Sequence, residues 1–415
     1  MLGSLLRHSL RALGRQKTYV IINILGLAIG IACSLIIALF ILHELSFDNY
    51  HEKKDRLYRV ILHGKMGGQE LQVTSTAAPI GPAMLNEFPE VEDFLRMNGR
   101  WEVPITFEDK HFIEKYYMEA DSSFFRFFSI PPLKGDARTV LNEKHTAVLS
   151  ASLAYKIFGE DDPVNKMIRV GDEETLYRIT GVMQDIPENT HFRANLITSF
   201  MTNSRSTDDQ WLSNSFETYV LLHPNSSPED ANARFKPMLE KHVGPLIMEY
   251  FGISMDDFLA KGNKYNLWLQ PLGDIHLNPE IEQGLRAASD PKYLWIFGSI
   301  ALLIIIIAGI NFMNLSTAQA SRRAKEVGVK MVCGSTRSKL ISQFLTETLI
   351  LSMISLLIAL LIVHLSLPYF NELLDMQLSI GYFNHWYNIP ALLLFTAMIG
   401  IFAGSYPSFY LSSFN

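Results

Sequence analysis

Cysteine is nearly missing from this chain of 415 residues. Cys33 and Cys333 are the only two, and both lie outside the long polar stretch 43–291. That stretch therefore has no disulfide framework, whatever its redox compartment. It must hold itself together with an ordinary apolar core, and about 250 residues suffice for one. A phosphate-cradling G-x-x-x-x-G-K-S/T loop is also missing; Gly64-Lys65 lacks the upstream glycine spacing. Any ATP spent on this protein's behalf is hydrolysed on another chain. No G-x-S-x-G elbow occurs, and the polar stretch offers no thiol nucleophile. The expectation is a protein that is not an enzyme, with no catalytic residues, cofactor or metal of its own and no nucleic-acid partner.

Charge is absent from four long apolar runs: Tyr19 to Leu42, Tyr293 to Met313, Thr348 to Leu367, and Ile389 to Tyr410. A bilayer core of about 30 Å needs roughly 20 apolar helical residues to cross it, and all four runs reach that length. The first exceeds a signal-peptide core and is followed by His43-Glu44-Leu45 instead of an A-x-A-like cleavage site. It reads as a retained anchor. Lysine and arginine are lacking between the third and fourth runs, residues 368–388. They gather before the first run (Arg7, Arg11, Arg15, Lys17) and between the second and third (Arg322, Arg323, Lys325, Lys330, Arg337, Lys339). By the positive-inside rule both termini and the second connection are cytoplasmic and residues 43–291 face outward. That outer stretch carries 25 basic and 38 acidic residues, a net charge of −13.

The fold class read from this pattern is a membrane protein with four transmembrane α-helices and a large α+β extracytoplasmic domain between helices 1 and 2. Its segments are 1–18 (amphipathic), 19–42 (helix), 43–291 (outer domain), 292–315 (helix), 316–347 (cytoplasmic), 348–367 (helix), 368–388 (outer loop) and 389–411 (helix). Two runs carry small-xxx-small spacing, Gly26 with Gly30 and Gly400 with Gly404, which lets helix backbones approach closely. Intramembrane ionisable groups, the mark of proton- or ion-coupled transport, reduce to His364. His364, Asn311 and Asn314 are expected to hydrogen-bond between helices.

Within the outer domain, residues 57–63, 112–118, 175–182, 218–223 and 267–272 read as strands. Residues 81–88, 151–158 and 228–242 read as helices, and 203–209 as a connecting loop. His43, Glu44, Asp48 and His51 cluster just past the first run, but their spacing is not that of a helical zinc site. Solvated stalk charges are the plainer expectation, and Glu188 to His191 reads as a turn.

The connection 318–347 begins with a basic cluster. Val327, Met331 and Val332 then recur on one side, a glycine closes the segment at Gly334, and Leu340, Ile341, Phe344 and Leu345 form a second apolar face. Residues 2–15 form a similar interfacial pattern. Such a segment can bind anionic headgroups or plug into a soluble partner.

Ile310 to Glu347, INFMNLSTAQASRRAKEVGVKMVCGSTRSKLISQFLTE, resembles the signature segment of the MacB/FtsX-type ABC transporter permeases. That segment has R-A-K-E-V-G followed by an aliphatic and a basic residue, then G-A/S-x-R, then Q-F-x-x-E. Cys333 stands where leucine is usual. LRALGRQKTYVIINILGLAIGIACSLII, FFRFFSIPPLKGD, AVLSASLAYKIFGEDDPVNKMI and TGVMQDIPENTHF are similar to the first helix and the periplasmic core domain of the same family. The resemblance implies a permease domain at 293–411 and a bacterial inner-membrane, multi-pass location. It also implies a coupling segment received by a cytoplasmic ABC ATPase that holds the ATP and Mg. The coupling residues would be Arg322, Arg323, Lys325, Glu326, Val327, Gly328, Lys330, Gly334, Ser335, Arg337, Phe344 and Glu347. Partners would be that ATPase, a second permease copy or second half, the lipid bilayer, and a periplasmic adaptor or outer-membrane channel. Export or extraction of a drug, peptide or lipoprotein is the implied role, and control of a cell-wall hydrolase, as in cell-division FtsX, is the alternative. Family chains often carry a tail or second unit past the fourth helix, so this chain reads as one half of a tandem or a shortened product.

Overall fold

The computed structural model describes residues 17–322, 328–329, 332, 336–374, 376–379 and 386–412. The chain divides into two units, Met1–Leu45 with Lys292–Asn415, and Ser46–Pro291.

The first unit contains four helices long and apolar enough to cross a membrane: Lys17–Leu45, Pro291–Arg322, Arg337–Leu374 and Asn388–Ser412. Their best windows have mean hydropathies of 2.8, 2.5, 2.6 and 1.7. Each overruns its charge-free stretch. The third has 38 residues and so a length of about 57 Å, well beyond the hydrocarbon layer. The second amphipathic face read at 340–345 is not a separate helix; it is the first turns of this one, continuous from Arg337.

Small side chains let these helices pack closely. A methyl group added at Gly30 would lie 2.6 Å from Ala308 Cβ, and one at Gly400 would lie 2.5 Å from Ser352 Oγ. One added at Gly404 would fall inside the Thr348 side chain, while at Gly26 it would meet Asn311 at an ordinary 3.4 Å. Polar bonds between helices run from Tyr19 Oη to Ser316 Oγ (2.9 Å) and from Ser34 Oγ to the Ala301 carbonyl (3.1 Å). Asn311, Asn314 and His364 do not make such bonds and are exposed. The buried stripe on the second helix passes through Ala308, Phe312 and Ser316; Asn311 lies at its edge, beside Gly26 of the first helix, and both asparagines keep much of their surface exposed.

The second unit is a twelve-stranded sheet with helices against it. In chain order its elements are β1 (Leu57–Met66), β2 (Gln69–Val73), β3 (Ser75–Ala77), α1 (Ile80–Glu87), β4 (Val91–Phe107), β5 (Lys110–Ala120), α2 (Phe124–Phe127), β6 (Pro132–Lys134), β7 (Thr146–Ser150), α3 (Ala151–Phe158), β8 (Met167–Val170), β9 (Thr175–Met183), β10 (Leu196–Ser199), β11 (Asn214–Leu222), α4 (Pro228–His242), α5 (Gly244–Phe251), α6 (Met255–Ala260) and β12 (Lys264–Pro271). The strands run β12-β1-β11-β4-β5-β10-β7-β9-β6, with β2 on β1, β3 on β11, and β8 bridging β4 to β9. Most neighbours are antiparallel; β5 with β10 and β7 with β9 are parallel.

Local chemistry places the helix ends. Ser227 Oγ accepts from the amides of Glu229 and Asp230, Pro228 occupies the first turn, and Lys241 and His242 lie at the carbonyl end of α4. Ser150 Oγ caps α3, and Gly159 at φ 63° stops it. The core between sheet and loops is rich in phenylalanine: Phe124, Phe127, Phe128 and Phe192 are all buried together. Each contributes about 1.5–3 kcal/mol relative to exposure.

Candidate functional site

Helix 1 ends at Leu45, and the chain turns immediately into a set of buried polar contacts. Asp48 sits in the left-handed region at φ 58°, a conformation in which aspartate is several-fold enriched because its short side chain can bond locally. Its amide donates to the Asn189 carbonyl at 2.9 Å. Its Oδ1 accepts from His191 Nδ1 at 2.9 Å and from the His191 amide at 3.3 Å. Asn189 Nδ2 donates back to the carbonyl and hydroxyl of Ser46, at 3.1 and 3.0 Å. The Tyr50 hydroxyl pairs with Thr190 Oγ1 at 2.7 Å. The turn 46–51 is thus stitched to the loop 188–191.

The stitching continues into the sheet. His191 Nε2 lies 2.9 Å from the Tyr219 hydroxyl, which donates to Glu217 Oε2 at 2.5 Å. Glu217 also accepts from the Leu285 amide at 3.0 Å and faces Arg59 Nη1 at 3.5 Å. Arg59 Nη2 donates to Gln270 Oε1 at 2.9 Å. Asp48, His191, Tyr219, Glu217, Arg59 and Gln270 are all buried. They form one row leading from the end of helix 1 across β11 and β1 to β12. Arg286 closes the outer side: its guanidinium donates to the Glu188 and Thr190 carbonyls and lies 4.9 Å from the Phe47 ring centre.

Solvated stalk charges, the expectation for this cluster, are therefore corrected. Asp48 and His51 are only 1% and 2% exposed. The sequence separates Asp48 from His191 by 143 residues, and no local spacing announces that they meet. Among the described residues no group of three His, Cys, Asp or Glu side chains has metal-holding geometry.

Burial alone would raise the Asp48 pKa. The charge and hydrogen bond of His191, with the His51 ring 3.6 Å away adding to them, offset that and hold the carboxyl well below the usual carboxylate range. His51 behaves differently. The Ser129 amide donates to its Nδ1 at 3.0 Å, so that nitrogen keeps its lone pair. Burial lowers the ring's pKa despite Asp48, which pulls the other way. In the unfolded chain this imidazole takes up a proton below about pH 6.5, whereas in the fold it resists. The unfolded state then binds more protons, and stability falls as pH drops from about 7 to 5. Asp48, also depressed, adds nothing in that window, because its contribution fades only below its ordinary value near 4. Melting of the full chain in detergent should fall across this range, with a shallower slope in His51→Gln; an equal slope in the variant assigns the dependence elsewhere.

The residues of the coupling segment are only partly in view. Arg323, Lys325, Glu326, Val327, Lys330, Gly334 and Ser335 lie outside the described residues, as does segment 1–16. Arg322 is the last residue of the second membrane helix. Gly328 and Arg337 are exposed, as are Val329 (64%) and Val332 (90%). Phe344 is half-buried and Glu347 is buried, its carboxylate accepting from Gln343 one turn earlier at 3.0 Å. Glu347 is thus turned into the helix packing of this chain.

Residues 20–238 match the family model described as MacB-like periplasmic core domain, and residues 298–415 match that described as FtsX-like permease C-terminal. The macrolide export ATP-binding/permease protein MacB of Bdellovibrio bacteriovorus is 23% identical over 297 residues, 70% of this chain and 40% of that protein. The pyoverdine export ATP-binding/permease protein PvdT of Pseudomonas syringae is 22% identical over 281 residues, 66% of this chain and 38% of that protein. The chain thus spans about two fifths of the length of these relatives. The crystal structure of the periplasmic region of MacB from Actinobacillus actinomycetemcomitans is 12% identical with a TM-score of 0.34, covering 53% of this chain and 90% of that one. With its four apolar helices, its outer α+β domain and both family models matched in order, the chain belongs to the MacB/FtsX-like family of ABC transporter permeases.

Proposed function

We propose that this chain is a permease subunit that turns ATP hydrolysis on a separate cytoplasmic ATPase into movement of the outer domain, for export or extraction of a substrate. In this reading both termini and the 316–347 connection are cytoplasmic, and the ATPase receives the segment from Arg322 to Arg337. Two copies, or this chain and a second half, complete the assembly, and an adaptor or outer-membrane channel receives the substrate. The named relatives export macrolides and pyoverdine, so the substrate class proposed is a drug, peptide or lipoprotein handled outside the bilayer.

One observation carries this reading: the buried row that begins at Asp48, three residues beyond helix 1, and ends on the far strands of the sheet. A tether that only anchored the domain would need no such lock. Within the outer domain the row fixes the first turn of the chain, 46–51, to the sheet, because buried ion pairs are costly to break singly.

Photo-crosslinking tests the inner contact. A photoreactive residue at Val329 or Val332 should capture an ATP-binding protein in intact cells, and one at the exposed Tyr155 of α3 should not. Capture of an ATPase from position 155, or from none of the three, counts against the proposal.

A further inference from the structure

The outer domain holds a cavity of about 520 Å³ where β5, the β8–β9 turn, the start of β9 and the segment after β10 converge. This lies within the roughly 300–1,000 Å³ typical of small-molecule sites. Its lining is unusual in charge. Glu119 stands in the wall, and Asp172 and Glu173 lie on the β8–β9 turn, while no lysine or arginine lines it among the described residues. Tyr117, Tyr177 and His145 add ring faces, with hydroxyls from the neighbouring threonines and Ser204.

Glu119 is the informative residue. It is 7% exposed, and its partners among the described residues are all neutral. Asn98 Nδ2 and Asn203 Nδ2 both donate to Oε2, at 3.0 and 2.7 Å. Oε1 has only the Tyr117 hydroxyl, at a long 3.4 Å. That hydroxyl pairs more closely with Thr198, at 2.8 Å. Burial and the charge of Glu119 keep the Tyr117 phenol protonated, far above its ordinary range. A carboxylate buried without a cation carries a desolvation penalty of several kcal/mol. A ligand bringing a positive charge to Oε1 would offset it. A bare metal ion does not suit the site, since no three acidic or histidine side chains converge with metal geometry among the described residues. An organic cation can instead span from Glu119 in the wall to Asp172 and Glu173, which are exposed, its hydroxyls meeting the polar lining and its ammonium the tyrosine rings.

We infer that this cavity binds a hydroxyl-bearing organic amine of amino-sugar type, with Glu119 as its counter-ion and the Asp172–Glu173 turn as its rim. The inference stands apart from the coupling reading, because binding is measured at equilibrium without an ATPase.

The test uses the full chain in nanodiscs of zwitterionic phosphatidylcholine, so that a cation gains nothing from the lipid. The probe is neamine, a two-ring amino sugar, compared by calorimetry with its per-N-acetylated form, which keeps the hydroxyls and loses the charges. Neamine should bind, and both acetylation and Glu119→Gln should weaken it by about tenfold or more. Glu119→Gln should melt no lower than the parent, since it removes an uncompensated buried charge. If that variant fails to fold, the exposed double change Asp172→Asn/Glu173→Gln serves, with a several-fold loss expected. Equal affinity for the acetylated form, or no binding up to about 10 mM, overturns the inference. So does unchanged affinity in Glu119→Gln, which would mean that this carboxylate is not the counter-ion of the bound amine.

Discussion

Asp48→Ala is expected to lower the stability of the outer domain by about 3–5 kcal/mol and to abolish coupled transport even where folded protein remains. Three effects add. His191 loses the acceptor for both its ring Nδ1 and its amide, leaving a buried donor against nothing. The row behind it then holds Glu217 and Arg59 without their charge balance at the near end. Alanine must also adopt φ 58°, at a cost of about 1–2 kcal/mol. Asp48→Asn separates these effects. Asparagine tolerates the left-handed region and keeps an oxygen for Nδ1, so its melting loss should be less than half that of alanine. Thermal unfolding of the full chain in detergent checks the order, with substrate export per ATP hydrolysed as the functional readout. If Asp48→Ala melted like the parent, the row would be ornamental and helix 1 would be an ordinary anchor.

The second large effect is expected at the inner surface. Gly328→Pro should uncouple ATP hydrolysis from export while insertion and expression stay normal. Residues 328 and 329 are helical, and a proline inside a helix removes a backbone bond and clashes with the preceding turn, at about 3 kcal/mol or more. Gly328 is exposed, and an added methyl group there would meet nothing within 4 Å, so Gly328→Ala is the control for volume. It should retain activity. The pair Glu326→Lys with Arg337→Glu reverses two charges without touching the helix backbone and should have the same uncoupling effect if the segment docks by charge. Retained ATPase association and coupled export in both variants would remove the docking role from this connection.

The membrane architecture was legible because its cause is one-dimensional. A helix in lipid must satisfy its backbone internally and face hydrocarbon along its length, so apolar length alone reveals it. The α3 and α4 helices were legible for a local reason too, their serine caps and the stop at Gly159. Strand β4 was not: Pro104 in its interior reads against a strand, and Gly99 weakens the pattern. The ladder to β5 tolerates both because they are two of ten paired positions running from Met97 to Phe107. Glu347 fell on the family pattern for the coupling segment, yet the phase of the third helix turns it inward.

The sequence by itself determined that four helices cross the bilayer, that a disulfide-free domain lies between the first two, and that the glycines at 26, 30, 400 and 404 permit close approach, since length, charge and side-chain size are properties of adjacent residues. Only the tertiary structure decided that Asp48 is buried against His191, that Glu119 lies uncompensated in a cavity wall, and that His364 faces outward. Burial and pairing depend on which distant segments meet, and the free energy of a charge is set by those neighbours and the water they exclude, not by its place in the chain.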